Sequence, residues 1–463
     1  MSQRSHIVGS TDDYRQEISA RDLLDYPARN MRHRQLARRP EMHLPGLLLL
    51  TAALWSVSGF AAGDYAQSRA KMVEAYQSGN FVLMRQFARD ALEARPGFPG
   101  GLFNLALAQA LDKDQAASLA TLNTLADMQI DFGADDMQEF STLSELPGWP
   151  GYLQRMQDLR QQVGKPVKAI ELTQGDFIPE GIALAEDGAV YLGSIRHGSL
   201  VRATPGNPPE TISTPSSSGH WSIMGIHLDA QGQLWMASSA LAQLEGLAPE
   251  EAGQSGLFRL NPGKGQVTHR AVLPADGQEH VLGDLAIADN GLLYTTDSLT
   301  GMVYEYQTTS GEFTPLVAEG VFQSPQGLVL DATQQNLYLA DYNHGIYRLD
   351  LDSGKVAKLI APENLSLHGV DGLYRHGNDL IAIQNGIQPH RVVRWKLDDS
   401  GLKILSGEIL AMNLPEFDEP TLGTIHQDHF YFVANSHWNR FARDNSLPDN
   451  LRGPVILSLP LKP

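Results

Sequence analysis

Three oxygen-bearing side chains stand directly before a glycine at the start of short apolar segments: Glu180, Gln326 and Asp371. A carboxylate at the start of a buried segment is costly unless it is paired or binds a cation, and no Lys or Arg occupies an equivalent place. Carboxylate and amide oxygens that meet at one point suit a hard divalent ion. We therefore expect one divalent cation, Ca²⁺ first, with Mg²⁺, Mn²⁺ or Zn²⁺ as alternatives. The competing interpretation is that the two carboxylates cap backbone amides at turns.

Other polar residues lie close to the starts of these apolar segments, or at the end of the apolar segment that follows each of them. A carboxylate beside a metal can take a proton from water, so Asp371 is the predicted general base. We expect substrate contacts from four other side chains: Asp284, Asn385, Asn435 and His437. The sequence has neither a Gly-x-Ser-x-Gly motif nor a His-Glu-x-x-His motif, which argues against a serine-triad hydrolase and a zinc-helix protease.

The segments that carry these residues belong to a repeat. Each copy has a turn, an apolar strand, a polar hairpin and a second apolar strand, as in Ile178–Ser194 and Gly283–Asp297. The register positions stand 44, 59, 43, 45 and 51 residues apart, and the long step contains a polar insertion around Leu241–Gly256. These positions are Gly181, Gly225, Asp284, Gly327, Gly372 and Gly423.

A period in the forties, built of short alternating strands and hairpin glycines, is typical of propeller blades. Six copies predict an all-β six-bladed propeller over residues 166–463. One four-stranded sheet cannot bury both of its faces alone, whereas radially packed neighbours cover each other. We expect the ring to close by pairing of the final strand Val455–Pro460 with the first blade's sheet near Val167–Leu172.

Residues 64–163 have a different pattern, with Ala-, Leu-, Met- and Gln-rich stretches at helical periodicity, and predict a small all-α domain. The residues Gly79, Phe81, Ala88, Ala91 and Pro96 stand at tetratricopeptide-like positions. This region is predicted either to bind a peptide or protein partner in a groove, or to be a helical cap with no ligand.

The amino-acid composition limits both the kinds of partner that the protein can bind and the kinds of reaction that its side chains can support. The chain has 463 residues and a formal charge of −18, from 53 acidic and 35 basic side chains, which disfavours nucleic acid as a partner. There are no cysteines, so disulfides and thiolate chemistry are excluded.

The first 62 residues resemble a leader rather than a folded domain. A basic stretch, Met31–Pro40, precedes an uncharged one, Leu44–Val57, and small residues at Gly59 and Ala61 suit cleavage after Ala61. The sequence therefore predicts a signal peptide and a periplasmic or secreted protein. An uncleaved signal anchor is the alternative and the only predicted membrane contact.

Residues 175–460 resemble the SMP-30/gluconolactonase/luciferin-regenerating-enzyme-like family of six-bladed propellers. The resemblance rests on Pro179-Glu-Gly181, Pro325-Gln-Gly327 and Val370-Asp-Gly372, with Gly283-Asp-Leu-Ala and Tyr294-Thr-Thr-Asp-Ser in the third blade. It implies one divalent cation on the propeller axis, held at the positions of Glu180, Gln326 and Asp371, and hydrolysis of sugar lactones or related esters.

This chain departs from the family pattern at two positions where the resemblance implies asparagine. Gln326 keeps an amide oxygen on a longer arm, and Gly283 has no side chain, although Asp284 follows it. We therefore carry two functions forward. The first is an exported metal-dependent hydrolase of the lactonase or esterase type, acting on a small sugar-lactone-like substrate. The second is a non-catalytic propeller-plus-repeat scaffold that binds protein, peptide or glycan in the periplasm.

Overall fold

The computed structural model describes residues 62–461 and begins with a helical region. Its helices are α1 (Ala62–Gln77), α2 (Phe81–Ala94), α3 (Pro99–Leu111), α4 (Gln115–Asp127) and α5 (Trp149–Leu159), with 3-10 segments at Ala134–Asp136 and Gln138–Glu145. The predicted signal peptide and its cleavage position lie outside the described residues. Between residues 62 and 461, no helix combines the length and the apolar character needed to cross a membrane.

The helical region consists of two helical hairpins, α1–α2 and α3–α4, followed by α5. The side-chain oxygens of Asn80 and Asp114 accept hydrogen bonds from Leu83 N and Ala117 N and so cap the starts of α2 and α4. The hairpins enclose an apolar core that includes the buried Leu107. Helices are thus present as predicted, while their assignment to tetratricopeptide repeats stays a prediction.

Residues 167–460 form six four-stranded antiparallel sheets. The first blade comprises β2 (Pro179–Leu184), β3 (Val190–Ser194), β4 (Leu200–Ala203) and β5 (Glu210–Ser213). The second blade comprises β6 (Ser222–Leu228), β7 (Leu234–Ser239), β8 (Ser255–Asn261) and β9 (Gln266–Val272). The third blade comprises β10 (Leu282–Ile287), β11 (Leu293–Asp297), β12 (Met302–Gln307) and β13 (Glu312–Pro315). The fourth blade comprises β14 (Pro325–Leu330), β15 (Asn336–Asp341), β16 (Gly345–Asp350) and β17 (Val356–Lys358). The fifth blade comprises β18 (Val370–His376), β19 (Asp379–Gln384), β20 (Arg391–Leu397) and β21 (Ile404–Met412). The sixth blade comprises β22 (Gly423–His426), β23 (His429–Val433), β24 (Val455–Pro460) and β1 (Val167–Glu171).

The first-listed strand of each sheet contacts the first-listed strands of the two neighbouring sheets, and these contacts run from β2 round to β22 and back to β2. The six inner strands therefore form a closed ring. This arrangement confirms the predicted six-bladed propeller. One short helix, α6 (Pro215–Ser218), and 3-10 turns at Gly175–Phe177, Pro249–Glu251 and Trp438–Arg440 lie in the connections.

The two ends of the propeller pair with each other, as expected, but in a different blade. Val167 pairs with Ser458 and Glu171 with Val455, so β1 lies on the outer edge of the sixth sheet. The first blade is complete without β1 because it has β2 to β5, whereas the sixth has only three strands from the C-terminal part of the chain. The prediction that this pairing belongs to the first blade was wrong.

Five inner strands contain a β-bulge at the same place, near their start. In β2, Pro179 pairs with Ser194 and Ile182 with Leu192, so Glu180 and Gly181 together face one residue of β3. The same irregularity recurs at residues 224–225, 283–284, 326–327 and 371–372. A bulge bends its strand locally and changes the direction of its side chains, here at the rim of the central channel.

The glycines that mark the repeat have a steric cause. A Cβ atom on Gly181 would lie 2.4 Å from the carbonyl oxygen of Met224, in the neighbouring inner strand. One on Gly327 would lie 2.6 Å from the carbonyl oxygen of Asp371, again in the next blade. Glycine at the second bulge position therefore allows the inner strands to approach one another closely.

The helical region packs on the end of blades four and five where the inner strands begin. Arg391, at the start of β20, donates to the carbonyl oxygens of Met128 and Gln129. Asp131 N donates to Gln388 O at 2.9 Å. Ile387, from the fifth blade, is part of the helical region's own apolar core. The helical region is thus fixed beside the mouth of the channel.

Candidate functional site

The three predicted metal-binding residues occupy the same structural position in three blades. Glu180, Gln326 and Asp371 are the first bulge residues of β2, β14 and β18. They are only 3%, 7% and 7% exposed. Because the bulges lie at one end of inner strands that ring the axis, the fold brings these residues to the same end of the central channel.

Tyr374, on β18, lies close to the acidic residues of several blades. Its hydroxyl oxygen accepts a hydrogen bond from Gly423 N at 2.6 Å. Burial raises the pKa of Tyr374 well above its ordinary value, and the carboxylates of Asp284, Asp371 and Glu180 raise it further. Carboxylates from blades one, three and five therefore lie within electrostatic range of one buried hydroxyl, which keeps its proton at neutral pH.

Asp371 is held by an amide from the next strand. Asn385 Nδ2 donates to Asp371 Oδ2 at 2.7 Å and to the carbonyl oxygen of Pro420 at 2.9 Å. The Tyr342 hydroxyl donates to Asn385 Oδ1 at 3.0 Å, which fixes the orientation of the amide. Asn385, predicted as a substrate contact, is thus a direct neighbour of the predicted base.

Glu180 is bonded from the neighbouring sixth blade. The indole Nε1–H of Trp438, in the 3-10 turn after β23, donates to Glu180 Oε2 at 2.5 Å. A second acid of the sixth blade, Glu419, accepts a hydrogen bond from Asn439 N at 2.7 Å. Both contacts involve the polar-aromatic cluster at residues 435–439. From this segment, the sequence singled out Asn435 and His437 but not Trp438.

Gln326 and Asp284 complete the acidic end of the channel. Gln326 Nε2 donates to Ser324 Oγ at 2.9 Å, so the amide oxygen of Gln326 points away from Ser324. Asp284 occupies the second bulge position, where other blades have glycine, and its Oδ1 lies 3.7 Å from His227 Nε2. Directly before it, a Cβ atom on Gly283 would meet nothing closer than Thr296 Oγ1 at 3.5 Å. The site therefore has room for a side chain at residue 283.

Asn435 and His437 bind neighbouring loops. Asn435 Oδ1 accepts a hydrogen bond from Val455 N at 2.7 Å. His437 Nδ1 lies 3.0 Å from Asp418 Oδ2, and His437 Nε2 lies 2.9 Å from Arg452 O. The two side chains hold together the segment that carries Trp438, and their predicted contact with substrate stays a prediction.

Asp418 is the charged centre of this loop assembly. Burial acts to raise its pKa, but hydrogen bonds from His437 and Arg440 outweigh burial and lower the pKa of Asp418 to about 2. The loop that positions Trp438 therefore depends on a carboxylate that is ionised at neutral pH.

The fit of this site to a cation rests on its donor chemistry. Within residues 62–461, no three His, Asp or Glu side chains form a group that could hold a metal ion. The predicted set differs in composition, since it combines two carboxylates with one amide oxygen. A carboxylate has about four lone-pair positions on two oxygens, so it can accept hydrogen bonds and bind a cation together. Glu180, Gln326 and Asp371 are thus chemically suited to a hard cation.

Comparisons with known proteins leave the activity open. No protein-family model matches this sequence, and no curated protein matches it. Among solved structures, the PQQ-bound aldose sugar dehydrogenase from Streptomyces coelicolor is similar, with a TM-score of 0.46, 14% identity, and coverage of 65% of this chain and 98% of that one. A luciferin-regenerating enzyme has a TM-score of 0.45 at 13% identity, over 64% of this chain and 95% of its own.

Virginiamycin B lyase from Staphylococcus aureus has a TM-score of 0.41 at 16% identity, over 65% of this chain and 89% of its own. These three proteins differ in activity, and the similarities are too low to carry an argument about function. The six sheets of the chain itself establish the propeller.

Proposed function

We propose that the propeller is a divalent-cation-dependent hydrolase of the lactonase or esterase type, acting on a small sugar-lactone-like substrate at the axial site. One observation carries the proposal: Glu180, Gln326 and Asp371 stand at the same bulge position of three inner strands, and Asp284 stands in the corresponding bulge of a fourth. Several buried carboxylates at one place repel each other, and a cation offsets that repulsion. Membership of the gluconolactonase-like family and export from the cytoplasm belong to the same proposal.

Glu180, Gln326 and Asp371 would hold the cation, with Ca²⁺ expected first because all three ligands are oxygens. A divalent cation bound there supplies Lewis-acid polarisation of an ester carbonyl. Trp438 holds Glu180 through its indole N–H, and Ser324 holds the amide of Gln326. Such outer contacts orient the ligands before the ion arrives.

Asp371 is the proposed general base that takes a proton from the attacking water. The fixed amide of Asn385 keeps its carboxylate in one orientation. Tyr374 stays protonated and can donate a hydrogen bond within the site. Asp284 and Asn385 are proposed to contact the hydroxyl groups of the substrate, and the space beside Gly283 gives room for a sugar ring.

One observation favours the second function, a scaffold without turnover. A groove of about 980 Å³ lies between the helical region and the fifth blade, lined by residues that include Asp127, Arg155, Asp158 and Glu363. Its charged lining would suit a polar peptide or protein segment.

Elemental analysis of the purified protein tests the proposal first, with Glu180→Gln and Asp371→Asn as comparison variants. We expect one Ca²⁺ per wild-type chain and substoichiometric metal in both variants. A panel of aldonolactones and aryl esters, assayed with and without chelator, then tests turnover. A wild-type protein without divalent metal, or turnover unaffected by chelator and by both substitutions, would contradict this function.

A further inference from the structure

A buried guanidinium lies at the junction between the helical region and the propeller. Arg95 is the residue at which α2 ends, and it is only 5% exposed. Its Cζ atom lies 3.7 Å from the ring centroid of Tyr65. Stacking on a ring face stabilises the cation but leaves its N–H bonds, which lie in the guanidinium plane, in need of acceptors.

Those N–H groups are only partly satisfied. Nη2 donates to Gln323 Oε1, a neutral acceptor, at 2.5 Å. Nε and Nη1 are buried and have no hydrogen-bond partner among residues 62–461. An arginine in this position has lost its hydration without gaining the acceptors that usually replace it.

The carboxylate that acts electrostatically on Arg95 is occupied elsewhere. Asp341 raises the pKa of Arg95, although burial lowers it by more. The Oδ1 atom of Asp341 accepts from Asn343 N at 3.0 Å and from His344 N at 3.1 Å, while Oδ2 accepts from Gln323 N at 2.7 Å. Among the described residues no carboxylate forms an ion pair with Arg95. The charge of Asp341 reaches the guanidinium, but its oxygens accept from backbone amides, and Oδ1 also lies 3.1 Å from His344 Nδ1.

Basic groups collect around the same point. The imidazole of His368 packs against Phe98 with the ring centroids 5.7 Å apart. Burial, with smaller contributions from Lys358, His344 and Arg95, lowers the pKa of His368 to about 3. His368 is therefore uncharged at neutral pH, and it offers the guanidinium of Arg95 no compensating negative charge.

We propose that this junction binds an anionic group, a carboxylate or a phosphate, on the guanidinium of Arg95. An oxyanion would supply acceptors for Nε or Nη1 and pair with the buried charge of Arg95. Gln323, which contacts Arg95, precedes Ser324 and Gln326 on one short stretch that enters the axial site. The anion is therefore either a free ion or the charged group of a molecule that extends towards the axis.

Isothermal titration of the full chain with inorganic phosphate and, separately, with acetate tests the proposal. We expect saturable binding of at least one anion, weakened about tenfold or more in Arg95→Gln and partly retained in Arg95→Lys. Arg160→Gln is the matched control, because Arg160 is an exposed arginine of the same region that is already paired with Asp131 and Asp135. Its affinity should equal that of the wild type.

Repeating the titration with the Asp371→Asn variant distinguishes a free ion from the charged group of a molecule that reaches the axis. Unchanged phosphate affinity indicates an independent ion site, whereas changed affinity indicates a group shared with the axial ligand. Absence of saturable binding by the wild type at tens of millimolar, or equal affinity in Arg95→Gln and wild type, would overturn the proposal. If the Arg95→Gln variant does not fold, the wild-type titration still tests whether the protein binds an anion.

Discussion

Trp438 and Glu180 are 258 positions apart in the sequence, yet the indole N–H of the first donates to the carboxylate of the second at 2.5 Å. The bond joins the last blade to the first, beside the place where the ring closes. It therefore links two properties, the position of a proposed metal ligand and the integrity of the closed propeller.

A double-mutant cycle of Trp438→Phe with Glu180→Leu should measure this link. A hydrogen bond to a charged group contributes about 1.5–3 kcal/mol, so we expect a coupling of that order in the free energy of unfolding by denaturant. The matched cycle pairs Glu180→Leu with Trp221→Phe, because the buried Trp221 Nε1 has no partner within the described chain. Equal coupling in the two cycles would show that the indole N–H of Trp438 contributes nothing specific.

Alanine substitutions at two glycines should distinguish a position where neighbouring strands approach closely from a position that faces open space. In Gly181→Ala the new Cβ would meet Met224 O at 2.4 Å, and we expect a loss of roughly 2 kcal/mol or more. In Gly283→Ala the nearest atom is 3.5 Å away, so the change should be within about 1 kcal/mol of the wild type. Thermal and denaturant unfolding of both variants provide the measurement. A Gly283→Ala protein as unstable as Gly181→Ala would contradict the open space assigned beside residue 283.

Acid should weaken the loop that carries Trp438 through Asp418. The pKa of this carboxyl is lowered to about 2 in the folded protein, so its contribution is present above the unfolded value near 4 and is lost as pH falls towards 2. Asp418→Asn should cost about 1–2 kcal/mol at pH 7, after allowance for partial exposure, and progressively less below pH 4. Denaturant unfolding from pH 7 to pH 2.5 checks this, with Asp352→Asn on an exposed turn as the control. A cost for Asp418→Asn that is the same at every pH would contradict the assignment.

The fold was more accessible to sequence reasoning than the site. The period of Gly181, Gly225 and Gly327 follows from strand approach between neighbouring blades, which constrains one residue type at one place in each repeat. Local patterns of that kind are readable. The assignment of β1 (Val167–Glu171) to the sixth blade could not be predicted, because the other strands of that sheet lie far along the chain, at Gly423–Pro460.

Within the site, the repeat predicted that Glu180 and Asp371 would occupy equivalent positions, and they do. Tyr374 was missed, although strand alternation puts it on the same face as Gly372, whose Cβ would lie 2.4 Å from the tyrosine hydroxyl. The role of Trp438 could not be predicted, because it depends on the path of the long β23–β24 loop, which the repeat pattern does not specify.

The bond from Tyr342 to Asn385 supports the last prediction, which concerns cation affinity. Tyr342 fixes the amide of Asn385, and that amide holds Asp371. Loss of such an outer contact typically weakens metal binding by about 10- to 100-fold. We therefore expect weaker Ca²⁺ binding in Asn385→Leu, measured by isothermal titration, and a smaller loss in Tyr342→Phe, where the amide stays but its orientation is released. Tyr338→Phe is the matched control, since that hydroxyl, also in the fourth blade, bonds Gly401 O on the fifth. If Tyr342→Phe and Tyr338→Phe bind Ca²⁺ equally well, orientation of the Asn385 amide does not govern the site. If Asn385→Leu also matches the wild type, Asp371 is positioned by other contacts.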